Sequence, residues 1–237
     1  MRTILLVAMN FVRDQRWPIL VLMMWVLVLS VLPLYLDLRI HREELLFVFK
    51  QSALYAFPFA IFFGGSAIHN ERKSRRILSV LSKGVDRRQY LSGLLCGVAI
   101  SLVVYCFCMG LTGSWVLGLG GFPLALLWFL MLAILAACFL ASSVSVLFST
   151  FLPPLFSYVA TSLVLGVPAL AGFLFGDTWW SHVVPVYQLV YIFLQASFDT
   201  PWRANWAALG LAVGETVLCW LIASGVFAMR DVAVAVD

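Results

Sequence analysis

The sequence predicts an all-α polytopic membrane protein. It has six transmembrane helices, an N-terminal interfacial helix, and a short re-entrant or interfacial helical segment between helices five and six. Three observations carry this. Hydrophobic residues fill 63% of the 237 positions and charged residues only 11%, where a soluble domain carries roughly 25% charged residues. Mean hydropathy is +1.03. The 88 residues from Gln89 to Gly176 include no charged side chain. Such a chain lacks the polar surface that a water-soluble fold needs, which excludes a soluble enzyme, a disordered protein and a nucleic-acid-binding domain. Residues 1–237 read as a single transmembrane domain.

In residues 1–14, Ile4, Leu5, Ala8, Phe11 and Val12 share one helical face, and Thr3, Asn10, Arg13 and Asp14 the other. That pattern suits a helix lying in the membrane interface; an early extension of the first span is the alternative. The apolar run 4–9 is too short for a signal peptide, and Arg13, Asp14 and Arg16 follow it in place of a small-residue cleavage site. The first span is 17–36, with Pro18 in its first turn, where a missing N–H is tolerated. A short charged loop, 37–44, leads to a Phe-rich second span, 45–68, with Lys50 near its start and able to snorkel. Residues 69–88 form the one long, strongly basic loop.

Crossing takes about 20 residues per helix, so the uncharged stretch holds three spans. The breakers agree: the turn at 118–123 and the pair Pro153-Pro154 divide it into 90–117, 123–149 and 155–175. An aromatic, polar segment, 176–204, precedes the sixth span, 205–228. With the N-terminus inside, the basic residues inside are Arg2, Arg13, Arg16, Arg72, Lys73, Arg75, Arg76, Lys83, Arg87, Arg88 and Arg230. Those outside are Arg39, Arg42, Lys50 and Arg203. The excess puts both termini and the 69–88 loop in the cytoplasm; the cytoplasmic (inner) membrane is the expected location.

No catalytic constellation accompanies this architecture. The chain has no Gly-Lys pair and hence no P-loop of its own, and no His-Glu-x-x-His. His41, His69 and His182 lie on separate loops without metal-ligand spacing, so no cofactor is expected. Cys96, Cys106, Cys108, Cys138 and Cys219 all lie in apolar stretches and read as small buried hydrophobes. Serines at membrane depth read as helix-packing residues.

The basic loop carries a helical pattern. Ile77, Leu78 and Leu81 are apolar at i, i+1 and i+4, Gly84 is a stop, and Asp86 with Gln89 forms a capping box that opens the third span. Two readings stay open: a short helix that transmits force, or a basic loop resting on anionic lipid.

The run Glu71-Arg72, then Leu78-Ser79-Val80-Leu81-Ser82, then Asp86-Arg87, Tyr90-Leu91 and Gly93, set after the second of six spans, resembles the membrane (permease) subunits of ABC-2-type exporters. The likeness covers most of the chain as architecture and residues 71–93 as motif. It implies a coupling helix that docks into a separate cytoplasmic P-loop ATPase subunit. Glu71 matches the acidic position, Leu78 and Leu81 the apolar ones, and Arg87 the arginine after the turn. Arg72, Arg75, Arg76, Ile77, Gly84 and Asp86 complete the candidate coupling set. Lys83-Gly84-Val85 stands where the family often has Pro, and Asp86 where it often has Ser. These departures leave the subfamily, and so the cargo, open. The resemblance further implies a second copy or a homologous membrane subunit, and a translocation path between the two. Tyr55, Phe59 and Phe62 of the second span and Phe156 and Thr161 of the fifth would line that path, for an amphipathic or lipid-like cargo.

Residues 186–198 form an uncharged stretch too short to cross. It reads as a re-entrant or interfacial segment with Trp179, Trp180, Trp202 and Trp206 as a headgroup-level belt; the resemblance makes it an outer gate, with Trp179, Trp180, Tyr187 and Tyr191 as gate residues. A surface loop with aromatic anchors is the alternative. Glu215 is the acidic residue at membrane depth, close to the middle of the sixth span. A carboxylate there is costly, so it is expected to face a protein interior, paired or protonated. It joins the candidate path residues. Two other classes remain: an ATP-independent carrier, for which one Glu is thin support, and a non-transporting scaffold or immunity-type protein.

Overall fold

Helices account for all the regular structure among the described residues. The computed structural model describes residues 2–32, 42–73, 86–176, 179, 183–199 and 203–229, with backbone alone at 2 and 71–73. The helices are α1 (Arg2–Asp14), α2 (Arg16–Val31), α3 (Arg42–Leu54), α4 (Ala56–Lys73) and α5 (Arg87–Leu119). They continue as α6 (Leu124–Ser149), α7 (Pro154–Phe175), α8 (Val186–Gln195) and α9 (Trp206–Met229). The chain is therefore an all-α polytopic membrane protein. Among the described residues, five helical stretches are long and apolar enough to cross a membrane, and α1 with α2, bent by 70°, make a sixth if taken as one span.

The termini of these elements follow local chemistry. Asp86 caps α5, its carboxylate accepting from the Arg88 N–H at 3.4 Å. Past the other end of α5, Gly121 takes φ +86°, with Gly121 N–H on the Gly118 carbonyl at 3.1 Å and Phe122 N–H on Leu117 at 3.0 Å. That pair of bonds is a Schellman motif, and a side chain at Gly121 would strain it. Pro153 and Pro154 open α7, and Asn205 caps α9 by accepting from Ala208 N–H at 3.0 Å.

The second span differs from its sequence expectation. It is interrupted between α3 and α4 at Tyr55. Pro58 is the cause: it has no N–H for the Leu54 carbonyl and its ring crowds that carbonyl. At the break the Ser52 carbonyl accepts from Tyr55 N–H at 3.3 Å and from the Tyr105 hydroxyl of α5. Tyr55 stacks on Trp25 of α2, ring centroids 4.3 Å apart.

Helix α6 is the centre of the bundle, with α4, α5, α7, α8 and α9 around it. Two thirds of its spanning window (67%) is buried, against 17% for α7 and 22% for α9. The contact of α6 with α4 is a small-residue seam. A Cβ added at Gly64 would sit 2.5 Å from the Ser142 carbonyl oxygen, and one at Gly65 would run into the Tyr158 ring of α7. Ser145 Oγ donates to the Ile61 carbonyl at 2.8 Å, and Ser157 Oγ of α7 donates to the Ser145 carbonyl at 2.9 Å. One α6 residue thus ties three helices. In lipid, where tails are as apolar as leucine, such close packing and interhelical bonds hold helices together.

Helix α1 uses the same device. It lies across α5, where Cβ atoms at Gly93 and Gly97 would come within 2.7 Å of Val7 and 2.8 Å of Phe11. Its buried residues are Val7, Ala8, Phe11 and, just beyond its end, Gln15, while Leu5 is 57% exposed. The sequence pattern placed Leu5 with Ala8 and Phe11; both sides of α1 are apolar, so periodicity could not separate the lipid side from the protein side.

Candidate functional site

At the basic end of the bundle, α4 runs on past Asn70 to Lys73, carrying Glu71 and Arg72 on a helical backbone. Arg75, Arg76, Ile77, Leu78, Leu81 and Gly84 lie outside the described residues. The chain resumes at Asp86, whose cap fixes the entry to α5. Arg87 Nη1 donates to the Ala228 carbonyl at 3.2 Å, a cation on the last turn of α9, where the helix dipole favours one. Tyr90 is buried one turn further. The basic segment therefore lies between α4, which is packed in the bundle as far as Ile68, and α5, whose start is tied by its cap and by Arg87 to α9.

The candidate path residues do not share one surface within the chain. Tyr55 stacks on Trp25. Phe59 packs beside Phe63, centroids 5.9 Å apart, and Phe62 meets Tyr158 at 5.8 Å. On α7, Phe156 is 61% exposed, whereas Thr161 is fully buried and donates to the Ser157 carbonyl at 2.8 Å. Five residues of helix turn these two side chains to different sides. Phe62, Phe156 and Tyr55 thus lie at least partly on the outer surface, and Thr161 is buried inside the bundle.

Glu215 is half-buried on α9. Its electrostatic neighbour one turn along is the Cys219 thiol, which also meets the Ser143 hydroxyl of α6. On an adjoining face, Thr216 and Trp220 of α9 line a crevice of about 250 Å³ with Leu95, Cys96, Phe139, Ser142 and Ser143. The Thr216 hydroxyl is taken up by the Ala212 carbonyl at 2.8 Å.

At the other end of the bundle, α8 lies against α6 and α7. Tyr187 is buried on the bare backbone of Gly172, where a Cβ would stand 2.6 Å from the ring. Phe173, Tyr187 and Tyr191 form a cluster with centroids 5.0 to 6.2 Å apart. Trp179 is 62% exposed; Trp180 lies outside the described residues. Sequence reasoning missed the groups that fasten this segment. Lys50 Nζ of α3 donates to the Leu194 carbonyl at 2.8 Å and to that of Ala196, closing the C-terminus of α8. Arg42 pairs with Asp199 at 3.7 Å and stands over the Phe198 ring at 5.2 Å. Gln188 accepts from Asn205 at 3.3 Å, joining α8 to the start of α9. The available signal was Lys50 itself, a lone cation inside an apolar helix, which needs acceptors when it cannot reach water.

No curated protein and no solved structure matched the chain. The family model described as ABC-2 family transporter protein matches residues 42–224, a stretch that holds the interrupted second span, the central helix, the α8 cluster and most of α9. Integral membrane helices around a small-residue seam, with a basic stretch of sequence between α4 and α5, agree with that match over most of the chain. The protein belongs to the ABC-2 transporter family and is a transporter permease.

Proposed function

We propose that the chain is the transmembrane half of an ATP-driven exporter. Two copies, or one copy and a homologous subunit, form the pathway between them, and separate P-loop ATPase chains dock on the 71–87 segment. The basic end and both termini face the cytoplasm of a cell whose inner membrane holds the protein, in keeping with the excess of Lys and Arg there. ATP hydrolysis belongs to the partner; this chain supplies path and transmission, for an amphipathic or lipid-like cargo. The observation that supports the reading is that the segment joins two helices packed in the bundle, with its exit tied in place. Helix α4 enters it from the Gly64–Ser142 contact, and Asp86 and Arg87 tie its exit to α5 and α9. A displacement applied at 74–85 would therefore reach the packed core, which a slack lipid-bound loop would not transmit.

The test is co-purification of the ATPase with two variants side by side. Leu78→Asp should release the ATPase, or leave it bound with hydrolysis no longer tied to transport, because truncating a central buried contact commonly costs more than about 1 kcal/mol. Neutralising Arg72, Lys73, Arg75 and Arg76 together should matter less. The opposite pattern, with loss in the four-charge variant and full coupling in Leu78→Asp, makes the segment a lipid-resting loop and removes the coupling assignment.

A further inference from the structure

The geometry points to a binding site for the phosphodiester headgroup of an anionic phospholipid at the elbow between α1 and α2. Asn10, Arg13, Asp14, Arg16 and Trp17 line a cleft there of about 610 Å³. The two helices meet at 70°. The corner is held by Gln15, buried, whose N–H donates to the Phe11 carbonyl at 2.9 Å and whose carbonyl accepts from Ile19 N–H at 3.1 Å. Because α1 is keyed onto Gly93 and Gly97 of α5, the angle is set by packing and not by a ligand.

The chemistry of the cleft matches a phosphate. It presents two guanidinium groups, a carboxamide and an indole, and the Arg16 guanidinium stands over the Trp17 ring, 5.8 Å from its centroid. Guanidinium forks suit phosphate oxygens in bidentate pairs. Two cations against one carboxylate, Asp14, leave the cleft positive.

The surroundings select a lipid over a soluble phosphate or a protein. Leu6 and Met9 stand one turn before Asn10 and Arg13 on α1, and are 66% and 55% exposed. Leu20 and Met24 follow Trp17 at i+3 and i+7 on α2, and are 54% and 62% exposed. Both arms of the elbow therefore carry exposed apolar residues on the faces that lead into the cationic corner. A headgroup in the corner with its acyl chains along the arms satisfies both parts, whereas a soluble anion leaves the apolar arms unused. Trp17, 67% exposed, marks the headgroup level, where tryptophan concentrates. This inference is independent of the ATPase-coupling reading, since it uses no residue of 71–87.

The test uses the purified full-length chain in detergent, titrated with phosphatidylglycerol or phosphatidylcholine and read by native mass spectrometry. Phosphatidylglycerol should bind at least tenfold more tightly than phosphatidylcholine. The Arg13→Gln/Arg16→Gln variant should weaken phosphatidylglycerol by about thirtyfold, since each basic residue near an anionic surface contributes about fivefold. Arg13→Lys/Arg16→Lys should keep most of the preference, which separates loss of charge from loss of fold. Arg88→Gln, an exposed cation at the same end but outside the cleft, should leave binding unchanged. Equal binding of the two lipids, full retention by the Gln variant, or equal loss in Arg88→Gln overturns the site. Displacement of phosphatidylglycerol by soluble glycerol phosphate at similar concentrations overturns the lipid as its ligand.

Discussion

Glycines 64 and 65 on α4 and glycines 210 and 214 on α9 are the same residue type in two helices of one bundle, yet they sit in opposite surroundings. At Gly64 an added Cβ would strike the Ser142 backbone, and at Gly65 the Tyr158 ring; at Gly210 and Gly214 nothing lies within 4 Å. The burial of the spans runs the same way, since α6, the partner of α4, is 67% buried and α9 only 22%. The difference teaches where this bundle is one body and where its surface is available. In a bilayer the hydrophobic effect does not pull helices together, so a helix is fixed by fit and interhelical bonding. By that measure α4, α6 and part of α7 form a rigid unit. The outer faces of α7 and α9 are smooth, apolar and unkeyed within the chain.

The comparison breaks first at its strongest point. Gly64→Val should destabilise the protein by about 3 kcal/mol, at the upper end of overpacking costs. The obstacle is a backbone carbonyl, which no rotamer change can move aside. Gly65→Val should cost less, because the Tyr158 ring can rotate. Thermal unfolding in detergent and the yield of monodisperse protein measure both. Equal tolerance at the two positions would mean that α4 and α6 are not locked together, and the transmission argument would lose its rigid element.

A middle case sharpens the same contrast. At Gly97 a Cβ meets Phe11 at 2.8 Å and the Ala8 carbonyl at 3.0 Å, so the approach is nearly as close as at Gly64. Here, however, the partner is α1, which packs against α5 far more than against the central helix. Gly97→Val should lift α1 away while the rest of the bundle stays folded, at about 1–2 kcal/mol. Trypsin cleavage at Arg13 or Arg16 should speed up several-fold, with the unfolding temperature of the core nearly constant. A global collapse would make α1 part of the rigid unit.

How much of this was legible in the sequence depends on what signal each feature leaves. The spans over α3–α4, α5, α6, α7 and α9 were legible because charge and breakers bound them; the end of the expected first span, 33–36, lies outside the described residues. The Gly121 turn, Pro153-Pro154 and the Asp86 cap stand where composition puts them. The interruption at Tyr55 was legible in principle, since Pro58 removes a donor, but a Phe-rich apolar run masks a break that costs no hydrophobicity. The α1 face was not legible: Val7 is buried and Leu5 exposed, and lipid and protein interiors reward both equally. The Lys50 closure of α8 joins residues 144 and 146 apart in sequence, and no local pattern reports a tertiary pairing. Thr161 is buried and donates to the Ser157 carbonyl one turn back on its own helix, and its span alone does not report which side of α7 is covered.

The smallest expected effect lies at Gly214. Its Cβ position is open and its φ is ordinary, so Gly214→Ala meets no steric obstacle. Alanine also loses less backbone freedom than glycine on entering a helix, by roughly 0.5–1 kcal/mol. The chain by itself therefore predicts a neutral or slightly stabilising change, at most about 1 kcal/mol, with Gly210→Ala behaving alike. Unfolding temperature in detergent measures it, and the contrast with Gly64→Val should be of order several kcal/mol between chemically similar substitutions. A leucine is the harder probe. Gly214→Leu should still be tolerated if this side of α9 meets only lipid, because its neighbours Val217, Leu218 and Leu221 are already exposed there. If Gly214→Leu instead lowers transport or shifts the oligomer on size exclusion while Gly214→Ala does not, the open face of α9 is covered in the working assembly. The glycine would then belong to the keyed class after all, with its counterpart on another subunit.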